Sequence, residues 1–118
     1  MKDARVALVE DDESLIANVR DSFEMAGIEL IAVARSLPEA LEIFAHLTAN
    51  IVVLDDKLHG INAAEALAAA LRQLDPQPVR IGWSMGLPYP AEVTYDLGKR
   101  QYNPYRLAQF IKNIPDPK

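Results

Sequence analysis

Ile51-Val52-Val53-Leu54-Asp55 is a run of four branched apolar residues closed by a carboxylate. A short continuous apolar run of this kind fits a strand buried on both faces, as the strands of a parallel sheet are. The N-terminal Val6-Ala7-Leu8-Val9-Glu10-Asp11-Asp12 has the same form. Two such strands lying side by side and parallel open their carboxyl ends on one edge of the sheet, where α/β folds place their ligands. Three or more acidic groups then crowd one small site. Such a cluster repels itself and is costly to desolvate unless a cation or protons compensate. All-oxygen ligands, few in number and partly open to water, suit Mg2+ better than a transition metal.

Outward from these two runs, short β-rich segments alternate with stretches of helical period, the pattern of βαβ units and a parallel sheet covered on both faces. The spacing predicts strands at 4–9, 28–33, 50–55, 79–84 and 93–97. It predicts helices at 14–26, with Ser14 as N-cap and Gly27 as stop, and at 37–47, with Ser36 and Glu39 forming a capping box. An alanine-rich helix follows at 62–74 with Asn62 as cap, and a last one at 103–113 with Pro104 in its first turn. Residues 85–92, Met85-Gly86-Leu87-Pro88-Tyr89-Pro90-Ala91-Glu92, do not fit the alternation. A parallel crossover needs a dozen residues or more, and two prolines and a glycine oppose a helix, so the fourth helix is expected to be short or missing.

The chain has 118 residues, half of them apolar, which is enough for one domain, 1–118, with its own core. It has no cysteine, which excludes disulfides, thiol nucleophiles and zinc-thiolate sites. No signal peptide and no membrane-length apolar run is present, so a cytoplasmic protein without membrane contact is expected. The formal charge is −5 with basic residues scattered, Lys99-Arg100 being the one adjacent pair, which argues against direct nucleic-acid binding. Two prolines in Ile114-Pro115-Asp116-Pro117-Lys118 stop the last helix.

The four relevant strand ends read Glu10-Asp11-Asp12, Asp55, Ser84 and, after the fifth strand, Lys99. These residue types suit phosphoryl transfer onto a carboxylate: an aspartate as nucleophile, Mg2+ among neighbouring carboxylates, and a hydroxyl and an ammonium for the remaining oxygens. In order and spacing, including the 44 positions from Asp11 to Asp55, the chain resembles the CheY-like receiver domain of two-component response regulators over nearly its whole length. The resemblance implies a flavodoxin-like three-layer α/β fold with a five-stranded parallel sheet in the order 2-1-3-4-5. It also implies a signalling domain rather than an enzyme acting on other substrates. Asp55 would be the phosphoacceptor, Asp11 a direct Mg2+ ligand, Glu10 a ligand through water, and Lys57 a ligand through its carbonyl. Ser84 and Lys99 would bind the phosphoryl group. Asp12 leaves a second register, Asp11-Asp12, for the acidic pair; acids of this family directly follow the last apolar residue of the strand, here Val9, which favours Glu10-Asp11.

The implied function is a stand-alone receiver that takes a phosphoryl group from a phosphohistidine on a sensor histidine kinase or a histidine phosphotransfer protein. It would signal to a downstream protein target that the sequence does not identify, and homodimer formation stays open. The alternative is a pseudo-receiver that binds its partner constitutively and never turns over phosphate. A Mg2+-dependent hydrolase also uses strand-end carboxylates, but Lys57 stands where its second acid is expected. Departures from the family pattern fall mostly in the fourth and fifth units. His59 stands where a proline is usual and Ala63 where a glycine is, while Arg100 follows Lys99 where the family tends to have a cis proline, so a trans bond is expected. Asp96 occupies the place of the family's switch aromatic, and Tyr95, one position earlier, faces the other way. His46 and His59 lack a second histidine at ligand spacing and read as surface residues. Trp83, Leu87, Tyr89 and Tyr95 form either an exposed apolar patch where the helix is missing or local core.

Overall fold

The computed structural model describes residues 1–86 and 88–116. Five strands, β1 (Arg5–Val9), β2 (Glu29–Ala34), β3 (Ile51–Leu54), β6 (Val79–Ser84) and β7 (Tyr95–Gly98), form one all-parallel sheet in the order β2-β1-β3-β6-β7. Counting these five strands alone, this is the 2-1-3-4-5 order expected. The helices are α1 (Glu13–Ala26), α2 (Leu37–Ala45), α3 (Ala64–Arg72) and α4 (Pro104–Lys112). Between β3 and α3 a two-strand hairpin, β4 (Lys57–Leu58) and β5 (Ile61–Asn62), was not foreseen.

Alternation along the strands separates two cores. Val6, Leu8, Ile51, Val53, Ile81, Trp83 and Leu97 face α1 and α4, where Phe23 and Ile111 are fully buried. Ala7, Val9, Val52 and Leu54 face the other way, onto Phe44 of α2 and Leu67 and Leu71 of α3. The strands read as unbroken apolar runs because both of their faces are covered.

Helix ends follow local chemistry. The α1 N-cap is Asp12, not Ser14: its carboxylate accepts the Leu15 N–H at 3.1 Å, and a carboxylate at this end also favours the helix dipole. Gly27 closes α1 in the left-handed conformation. Ser36 accepts the Glu39 N–H, but Glu39 reaches back to the N–H of Arg35 rather than Ser36, so the capping box is displaced by one residue. Helix α3 begins two residues later than expected; Ala63 is its uncapped N-terminal flank, while Asn62 accepts the Ala64 N–H. The limits of β6 are those expected; the other strand limits differ by one or two residues, most at β7, which starts at Tyr95.

No helix covers the β6–β7 crossover among its described residues. An irregular strap of bends replaces it, with Tyr89, Ala91 and Val93 packed on the core shared with α2 and α3. The Tyr89 ring lies against Gly82 of β6, where a Cβ would come within 2.7–2.9 Å of ring and Cβ atoms. The exposed-patch alternative is therefore wrong. Trp83 and Tyr89 are buried, and Tyr95 stacks edge-on against Phe110 of α4 at 5.0 Å. Leu87, Pro117 and Lys118 lie outside the described residues. The Lys99–Arg100 bond is trans, as expected.

Gly82→Ala is expected to cost about 1–3 kcal/mol in chemical denaturation, because the buried tyrosine cannot yield to the added methyl. Gly82→Ala combined with Tyr89→Ala should cost less than the sum of the single changes, since the clash is then gone.

Candidate functional site

The parallel ladder continues one residue past the strands and thereby sets the site. Glu10 N–H donates to Ala34 O at 2.9 Å, Asp55 N–H to Val9 O at 3.0 Å, and Lys99 N–H to Ser84 O at 2.9 Å. Each of the three side chains is thus launched from the same edge, where the sheet order reverses between β1 and β3, the position at which open α/β sheets bind ligands.

Carboxylate oxygens of Glu10, Asp11 and Asp55 come within 4.8 Å of one another. Lys99 Nζ closes the group, 2.7 Å from Glu10 Oε1 and 3.2 Å from Asp55 Oδ2. The sequence separates these residues by up to 89 positions, and the sheet brings all four together. Asp12 points elsewhere, into the α1 cap, which leaves Glu10-Asp11 as the acidic pair at the cluster.

Charge in the cluster is unevenly compensated. Glu10 is 1% exposed; its Oε2 accepts the backbone N–H groups of Asp11 and Asp12, while Oε1 has the Lys99 ammonium beside it without a well-aligned hydrogen bond. Burial, and then the negative charge of Glu10, push the Asp55 carboxyl up to about 7, against the pull of Lys99. Burial works to lower Lys99, but its contacts with Glu10 and Asp55 outweigh it and the ammonium is held above its ordinary range. Asp11 is held below the usual carboxylate range by the backbone N–H of His59, 2.7 Å from its Oδ2.

That N–H is available because residue 59 is not proline. His59 and Gly60 both take positive φ, 52° and 77°, the requirement of a two-residue type I′ turn, and they join β4 to β5. The hairpin also carries the exposed Lys57 and holds Leu58 in the core. The His59 imidazole is exposed, with Nδ1 3.9 Å from Asp11 Oδ2.

Ser84 is fully buried at the end of β6, and its hydroxyl donates to Gly86 O at 2.5 Å. Trp83, one residue earlier, donates its indole N–H to Tyr102 O at 2.7 Å and presents its ring to Lys99, whose Nζ is 5.3 Å from the centroid. A cation over an aromatic face is attracted by the ring quadrupole, so Trp83 helps to hold the ammonium at the cluster.

Tyr89 is a site residue that sequence reasoning placed only in a possible patch. Its hydroxyl donates to the backbone carbonyl of Asp55 at 3.0 Å, and its N–H donates to Asp96 Oδ2 at 2.8 Å. Burial and then the charges of Asp56, Asp55 and Asp96 raise its phenol well above the ordinary value, so it stays a donor. The available signal was Gly82: glycine inside a strand marks a close approach, and a tyrosine followed seven residues downstream. Asp96 replaces the aromatic of the resembling family and pairs with Gly82 across β6–β7, beneath the strap.

The donor set suits a hard divalent cation such as Mg2+. It is all oxygen, converges from two strands, and includes one buried carboxylate oxygen without an aligned hydrogen-bond donor. Among the described residues no helix is long and apolar enough to cross a membrane.

No protein-family model and no curated protein matches the sequence. Solved structures do match. A response regulator receiver domain protein (CheY-like) from Methanospirillum hungatei JF-1 superposes with TM-score 0.76 at 23% identity, over 92% of this chain and 90% of that one. A two-component response regulator of the LuxR family from Aurantimonas sp. SI85-9A1 gives TM-score 0.75 at 26% identity, over 92% and 82%. The receiver domain of the PhyR response regulator from Erythrobacter litoralis gives 0.68 at 20% identity, over 98% and 96%. The chain thus has the fold of these CheY-like receiver domains, with an acidic cluster and a lysine at the carboxyl edge of its 2-1-3-4-5 parallel sheet.

Proposed function

We propose that this receiver accepts a phosphoryl group on Asp55 from a phosphohistidine of a sensor kinase or histidine phosphotransfer protein, and returns it to water. The observation that supports this is the convergence of Glu10, Asp11 and Asp55 around one point with the Lys99 ammonium beside them. An Asp55 oxygen attacks phosphorus; the O–P bond forms as the N–P bond breaks, and the electron pair stays on the donor imidazole, which takes up a proton. Lys99 is placed to offset charge on the transferred group, and Ser84 can donate to it after turning its hydroxyl away from Gly86. Glu10, Asp11, Asp55 and the carbonyl of Lys57 would hold Mg2+. Once bound, that ion supplies charge neutralisation for the phosphoryl oxygens. Hydrolysis breaks the O–P bond again, releases inorganic phosphate and restores the carboxylate. The chain acts on its own aspartate and is a signalling domain, not an enzyme with a turnover substrate.

A second reading, a constitutive interaction module, draws on one observation: the Ser84 hydroxyl is already satisfied by Gly86 within its own loop. Affinity for a partner that is equal with and without phosphorylation would favour it.

Acetyl phosphate with Mg2+ is expected to label the protein, and Asp55→Asn and removal of Mg2+ by EDTA should each abolish the label. Equal labelling of wild type and Asp55→Asn would overturn the assignment.

The raised Asp55 also makes stability depend on pH. Between about pH 4 and pH 7 the folded protein binds more protons at Asp55 than the unfolded chain does, so this group's contribution to stability falls as pH rises through that window. In metal-free protein, Asp55→Asn should therefore be more stable than wild type by about 1–2 kcal/mol at pH 8, and the advantage should shrink towards pH 5. Denaturant titrations at the two pH values check this.

A further inference from the structure

We infer that Tyr89 is a positioning residue for the Asp55 carboxylate, and that through it the strap crossing Gly82 senses what is attached to Asp55. This rests on the phosphoacceptor reading and names how that site is regulated.

The peptide unit between Asp55 and Asp56 is gripped on both of its polar groups. Its carbonyl accepts the Tyr89 hydroxyl at 3.0 Å, and its N–H donates to Asp55 Oδ1 at 2.8 Å. A peptide unit is planar, so fixing the carbonyl fixes the direction of the N–H, and with it the rotamer of the acceptor carboxylate. Donation to the carbonyl also polarises the N–H towards the carboxylate.

Tyr89 is itself located from three sides: its ring occupies the space left by the missing Cβ of Gly82, its N–H is held by Asp96, and it is 5% exposed. A phenylalanine would fill the same volume, so packing does not account for the hydroxyl. Its partner is the carbonyl of the acceptor residue.

Phosphorylation converts the Asp55 carboxylate into an acyl phosphate, whose carbonyl oxygen is a weaker acceptor than a carboxylate oxygen. The Asp56 N–H is then less firmly held, the 55–56 peptide is freer to turn, and the Tyr89 bond loosens with it. Asp96, exposed on edge strand β7, anchors the same strap at the surface, so the change is delivered to the β6–β7 edge of the molecule.

The test compares wild type with Tyr89→Phe, and with Asp96→Ala as a second variant that leaves the buried ring intact. Acetyl phosphate labelling is followed over time across a Mg2+ series, and amide hydrogen exchange at position 89 is measured with and without beryllofluoride. Tyr89→Phe should label about two- to tenfold more slowly at saturating Mg2+ with an unchanged Mg2+ midpoint, the effect of losing one neutral hydrogen bond. Asp96→Ala should also label more slowly. Beryllofluoride should accelerate exchange at position 89 in wild type and not in Tyr89→Phe. Wild-type rates in both variants, or the same exchange response in Tyr89→Phe, overturn the inference while leaving the acceptor assignment standing. A wild type that neither takes label nor responds to beryllofluoride overturns that assignment and the inference with it.

Discussion

One ammonium group between two buried carboxylates is the constraint around which this molecule is arranged. Lys99 contacts both Glu10 and Asp55, which lie on neighbouring strands and repel each other. Removing the ammonium would leave both carboxylates buried and uncompensated, which costs several kcal/mol. The ladder bonds at Glu10, Asp55 and Lys99 fix the backbone positions from which the three side chains reach this spacing. The fold therefore imposes the repulsion, which adds to burial in raising the Asp55 carboxyl.

Such a site is unfavourable for folding and useful for chemistry. Burial beside a second negative charge keeps the Asp55 carboxyl protonated to higher pH than an isolated carboxyl. The cost is tolerated because the surrounding sheet is buried on both faces by two separate apolar cores. Strain of this kind belongs where the rest of the structure over-determines the geometry. Trp83 shows how closely core and site are joined: its indole N–H is tied to the backbone before α4, while its ring faces the ammonium.

The strands, the helices and the carboxylate pair were legible because each depends on a short-range signal: an apolar run closed by acid, a helical stripe, a cap; the sheet order came only through the family resemblance. Ser14 failed as a cap because Asp12, two residues earlier, is the better acceptor and lies where the chain leaves β1. The β4–β5 hairpin was missed because its turn uses His59 at positive φ, where the usual signal is Asn or Asp before Gly. Tyr89 was missed as a site residue for a different reason. Its contact with Asp55 spans 34 positions and follows no periodicity; only the crossover's inability to form a helix hinted that something else had to cover β6.

Replacing a helix by a strap changes what that side of the sheet can do. A helix satisfies its own backbone and presents only side chains, so its position is set by apolar packing. The strap contains Pro88 and Pro90 and is held by the Tyr89 ring, Ala91 and Val93 on the core and by hydrogen bonds to one carboxylate and one carbonyl. In this chain the strap is hydrogen-bonded to Asp55 itself. The resembling family's switch aromatic is absent from β7, where Asp96 stands and holds the strap instead. The aromatic that touches the site arrives from the crossover, by a hydroxyl on the Asp55 backbone carbonyl, so the strap and the site are joined by hydrogen bonds.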